Sequence, residues 1–129
     1  MNWFLLAAAA LALLTTGVHI FLGGKTCLAP MLAADFDPVA KRTLYVCWHC
    51  ITLDLSVSTV VLWMAGLEAH SGWAMAAAVV STLNLGYALI FTAFAATASF
   101  PKPWTQLPQG FALGPIGGLG LWGVFGGAI

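Results

Sequence analysis

Charge is scarce in this chain: of 129 residues, only four are Lys or Arg and four are Asp or Glu. A soluble domain carries roughly a quarter of its residues as charged side chains, so lipid must be the solvent for most of this surface. With a formal net charge of zero, the sequence has no cationic stripe to hold phosphate backbones, which argues against nucleic acid as a partner. Cysteine is also sparse. Cys27, Cys47 and Cys50 make an odd set, so no complete disulfide framework can be written. The common catalytic signatures are missing as well: there is no glycine-rich phosphate loop, no serine nucleophile elbow and no H-E-x-x-H. Eight charges are a thin supply for hydrolytic or transfer chemistry.

What fills the chain instead is apolar surface, 61% of residues. It falls into four runs, about 3–22, 43–66, 73–97 and 109–128, each close to the ~20 residues that a spanning helix needs. The expected fold is an all-α, four-helix transmembrane bundle forming one domain over residues 1–129. The first run lacks a basic leader and a small-x-small cleavage site, so it reads as a helix rather than a signal peptide. Gly23-Gly24 is expected to end it, and a polar stretch with Lys25, Cys27, Pro30, Asp35 and Asp37 follows. Asp37-Pro38 is a helix start, because Asp caps free amides and Pro fits the first helical position. From Pro38 to Gly66 the second helix would measure about 43 Å, longer than the ~30 Å hydrocarbon core, so its first turns stand out of the bilayer. A tight turn over residues 68–72 leads to the third run, and a loop with Pro101, Pro103 and Pro108 leads to the fourth.

The cations set an orientation. Lys25, Lys41, Arg42 and Lys102 all lie on the side of the two longer loops, and the other side holds only Glu68 and His70. The positive-inside rule then puts the long loops of a multi-pass membrane protein in the cytoplasm and both termini outside. Trp3, Trp63 and Trp73 mark the outer interface; Trp104 and Tyr45 mark the inner one.

Polar groups at membrane depth each ask for a partner, since Asp at a helix centre costs about 2.5 to 3.5 kcal/mol on insertion scales. Asp54 falls at the centre of the second span and Asn84 near that of the third. A hydrogen bond between them would satisfy both, or Asp54 stays protonated. His19 and His49, on antiparallel helices, share a second layer about 7 to 10 Å toward the cytoplasm. Cys47 and Cys50 lie in the same depth range. This is a donor set for haem b or a metal ion, with His19 and His49 as ligands. Alternatively, each histidine bonds a backbone carbonyl or a threonine hydroxyl. Helical spacing puts Thr43, Cys47, Cys50, Asp54 and Ser58 on one face, and Arg42, Tyr45, His49, Thr52, Ser56 and Thr59 on another roughly 100° away, so His49 and Asp54 should meet different neighbours.

Cys47-Trp48-His49-Cys50 is a C-x-x-C motif, similar to that of the quinone-linked disulfide-forming membrane proteins of bacteria. Those proteins carry a second cysteine pair in a later loop, and residues 100–109 here hold none. Their motif also faces the oxidising side, whereas the cations place this one inward. The last run has a different signature. Gly110/Gly114, Gly114/Gly118 and Gly123/Gly127 are GxxxG pairs, a pattern that lets helix backbones approach closely, either within the bundle or against another protein or a second copy.

The phrases His19-Ile20-Phe21-Leu22-Gly23-Gly24, Tyr45-Val46-Cys47-Trp48-His49-Cys50-Ile51-Thr52 and Leu107-Pro108-Gln109 resemble a family of small four-span bacterial inner-membrane proteins. The resemblance implies the membrane and carries no activity; it draws attention to His19, Lys25, His49 and the Pro108 region. Three functions fit the sequence. The first is an accessory or structural subunit that contacts lipid, other membrane subunits or its own copies. The second is a haem or metal binder for electron transfer. The third is a small transporter or proton-conducting element using Asp54, Asn84 and the Ser/Thr stripe.

Overall fold

A computed structural model describes residues 1–68 and 71–126. All regular structure among them is helical. The elements are α1 (Trp3–Ala33), α2 (Pro38–Leu67), α3 (Ser71–Thr97), the short α4 (Pro103–Gln106) and α5 (Gln109–Phe125). Within the described residues, the stretches Trp3–Ala33, Pro38–Leu67 and Gly72–Thr97 are long and apolar enough to cross a membrane. At 17 residues, α5 measures about 26 Å, somewhat less than the ~30 Å hydrocarbon core. The last residues of the expected fourth span, Gly127 among them, lie outside the described residues, as does His70.

Two helix starts are built as their sequences suggest. Asn2 Oδ1 accepts from the amides of Phe4 and Leu5 at 3.1 and 3.3 Å, capping α1. Asp37 Oδ1 accepts from the Ala40 amide at 2.8 Å, with Pro38 at the first helical position of α2.

The end of α1 departs from expectation. Gly23-Gly24 does not stop it; the helix runs on to Ala33, and His19–Leu28 is wound as a π-helix. A glycine costs a helix only about 1 kcal/mol relative to alanine. Close to the edge of an apolar span an unpaired backbone group is costly, so continuing the helix is the cheaper course. The wide winding runs directly into the turn that holds Pro30, whose ring would clash with the carbonyl four residues back in ordinary α geometry. The helix ends where Ala34 turns extended, just ahead of Asp35.

The core is small-sided: Ala8, Ala9 and Ala12 of α1, Ala65 of α2 and Ala77 and Ala88 of α3 are all buried, with Leu5, Leu55, Leu62, Leu113 and Ile116 between them. Its distribution is uneven along the bundle. Buried residues of α1 stop at Thr16, and those of α2 begin at Leu55. The pair α3/α5 stays packed further, with Ala95 buried and Gly110 against Thr92 and the Ala88 carbonyl. The chain therefore forms a bundle that is tight at the end holding Asn2, Gly66 and Gly123. At the other end the distal stretches of α1 and α2, residues 17–33 and 38–54, hold no fully buried residue.

Candidate functional site

At the tight end Asn2 bonds to three helices. Besides capping α1, Asn2 donates through Nδ2 to the Gly123 carbonyl at 2.6 Å, and its backbone amide donates to the Gly66 carbonyl at 2.7 Å. Three helix ends are thus joined at a residue the sequence reading passed over. Its signal was present: an Asn immediately ahead of an apolar helical run is a capping residue.

Deeper in the bundle lies a polar node. Asn84 is fully buried, and its Nδ2 donates to Ser58 Oγ of α2 at 3.2 Å and to the Val80 carbonyl at 2.8 Å. The expected Asp54–Asn84 hydrogen bond is not formed, because Ser58, one turn further along α2, stands opposite Asn84 instead. Among the described residues, Asn84 Oδ1 and Ser81 Oγ are buried without a hydrogen-bond partner. Ser81 faces α5, where a Cβ on Gly120 would collide with its hydroxyl and lie 2.9 Å from its Cβ. Gly117 is also close, its would-be Cβ 2.6 Å from the Ser81 carbonyl.

The glycine register that packs α5 thus runs Gly110, Gly117, Gly120 and Gly123, the last against Leu5 and Asn2. Gly114 has only ordinary contact with Ala88, and Gly118 faces open space. The GxxxG reading identified the helix and missed Gly117 and Gly120, since a pair spacing does not say which face meets the neighbour.

Asp54 is half-buried and stands apart from this node. Among the described residues its carboxyl makes no hydrogen bond or ion pair; its one interaction is electrostatic, with the phenol of Tyr87 on α3. The hydroxyls of the neighbouring Ser/Thr stripe turn back onto their own helix. Thr52 donates to the Trp48 carbonyl at 3.0 Å, Ser56 to Thr52 at 2.8 Å and Thr59 to Leu55 at 2.9 Å. They satisfy themselves locally and do not line up as a relay between helices.

The histidine layer lies in the open half. The His19 ring stacks on the Trp48 indole of α2, centroids 3.9 Å apart at 20°, with Nε2 3.4 Å from the Trp48 carbonyl. Gly23 leaves room for that indole: a Cβ there would lie 2.8 Å from Trp48 Cη2. His49 is exposed and meets the Tyr45 ring edge-on at 4.6 Å. Cys47 and Cys50 are free and exposed, as is Cys27. His19 thus lies within reach of a backbone carbonyl, and the two histidines have different ring neighbours. Among the described residues, no three His, Cys, Asp or Glu side chains gather closely enough to hold a metal ion.

At the cationic end, a cleft of about 530 Å³ opens between Leu32, Phe36, Lys41, Arg42 and Tyr45. Lys41 spans it, donating to the Leu32 carbonyl at 3.2 Å and lying 5.3 Å over the Phe36 ring. Comparisons with protein families, curated proteins and solved structures find no match to this chain.

Proposed function

We propose that the chain is a small accessory subunit of a bacterial inner-membrane assembly, crossing the bilayer four times and acting through helix–helix contacts. In this reading α5 is the fourth span, both termini are periplasmic and the cationic loops are cytoplasmic, as the positive-inside rule requires.

The observation that carries the reading is where burial stops. Residues 17–33 of α1 and 38–54 of α2 have no fully buried side chain, yet they hold His49, Cys47, Cys50 and Asp54. Lipid tails can cover Leu, Val and Ile on such faces, but they offer nothing to a carboxyl or an imidazole. A protein surface does. The open face of α5 at Gly118 adds a second place where a backbone can approach closely.

Photo-crosslinking in the native membrane tests this reading. A photoreactive residue at position 46 or 53, on the open half of α2, should give a discrete protein adduct in good yield. The same residue at position 13, on the outer face of α1 within the tight half, should give mainly lipid adducts. Lipid adducts alone from both halves would exclude the subunit reading.

A further inference from the structure

Resting on that reading, we infer that Asp54 is a docking charge: the α2 face around it receives a membrane-spanning helix of another protein that carries a Lys or Arg at mid-bilayer. With hydrocarbon spanning about Leu44 to Trp63, Asp54 sits at the centre of α2. It makes no hydrogen bond or ion pair with any described residue. Its surroundings open outward: Ile51, Val57 and Tyr87 are each exposed by more than a third, and Cys47 and Cys50, on the same helical face, are exposed. Four residues further on, Ser58 is 1% exposed and bonded to Asn84. Asp54 therefore stands where the polar stripe of α2 leaves the packed core.

Charge identifies the occupant. A carboxylate in hydrocarbon is retained where a cation or a set of donors meets it. This chain has no cation at that depth. Arg42, the nearest along α2, is twelve residues away, about 18 Å of helix rise; Lys41 is one residue further, Lys25 lies in the distal stretch of α1 and Lys102 just ahead of α4. A second copy would bring the same carboxyl and no cation, and two carboxylates meeting at that depth repel each other until one takes up a proton. A foreign helix with a basic residue near its centre answers the charge, and the flanking Ile51, Val57 and Tyr87 give that helix an apolar and aromatic seat.

The test uses the full chain, labelled at its N-terminus with a fluorescence donor and reconstituted in phosphatidylcholine vesicles. The probes are acceptor-labelled synthetic spanning helices of Leu and Ala that differ only at the central residue, Lys, Leu or Asp. The Lys helix should associate at least tenfold more tightly than the Leu helix. Asp54→Asn should bring the two to equality, and Asp54→Glu should keep the preference. Circular dichroism confirms that each variant remains helical. Equal binding of the Lys and Leu helices, or a Lys preference that survives in Asp54→Asn, overturns the inference. So does an Asp54-dependent homodimer that shuts the Lys helix out, which would assign the face to a second copy. Crosslinks persisting from positions 46 and 53 despite equal binding would remove only the role of Asp54 and leave the subunit reading standing.

Discussion

The side-chain amide of Asn2 donates to the Gly123 carbonyl at 2.6 Å, joining two positions 121 residues apart. With the Asn2 amide on the Gly66 carbonyl, it brings the start of α1 and the ends of α2 and α5 to one point. Asn2→Ala removes both the cap and the link to α5 and is expected to destabilise the bundle by about 1 to 3 kcal/mol. Asn2→Asp keeps the cap acceptor, loses the donor to Gly123 and should fall between the two. Reversible unfolding in mixed detergent micelles measures the order.

The glycines of α5 should separate sharply by face. Gly120→Ala puts a methyl into Ser81 and is expected to cost about 1 to 3 kcal/mol, the range for overpacking a tight contact. Gly118→Ala meets open space and should be neutral or stabilising by up to about 1 kcal/mol through helix propensity. Adding Ser81→Ala to Gly120→Ala should restore part of the loss, because the two side chains share one gap. The same unfolding assay reads all three.

The Ser58–Asn84 pair should contribute modestly. Interhelical hydrogen bonds in membranes average about 0.6 kcal/mol in double-mutant cycles, because the unfolded helices find other partners. A cycle over Ser58→Ala and Asn84→Ala is expected to return a coupling of that size. A coupling several times larger would mean that this node, rather than apolar packing, holds α2 to α3.

Lys102 has the left-handed φ of 54°, the one non-glycine residue among those described with positive φ. That conformation costs an L-residue roughly 1 to 2 kcal/mol, so Lys102→Gly should stabilise the α3–α5 connection by a similar or smaller amount. Slower proteolysis of the loop around Trp104 would report it.

Much of this architecture was legible because hydrocarbon imposes simple rules. Apolar length gave three of the long helices, and Asp37-Pro38 gave the start of α2 to the residue. The continuation of α1 through Gly23-Gly24 was not legible, since glycine is a helix stop chiefly where water competes for the backbone. Depth arithmetic set Asp54 and Asn84 near one level but could not supply the rotation that puts Ser58, rather than Asp54, against Asn84. The stacking of His19 on Trp48 depends on the narrow side of Gly23, which single-residue periodicity does not carry. Gly117 and Gly120 were hidden among eight glycines, where only the neighbouring helix distinguishes the packed face from the open one.

The subunit reading is tested most directly by the mass of the particle extracted from native membranes in polymer-bounded lipid discs, without detergent. The account predicts the 13.5 kDa chain together with a second, different polypeptide at fixed stoichiometry, and loss of that polypeptide in Asp54→Leu. Discs that hold this chain alone, whether as one copy or several, would contradict it.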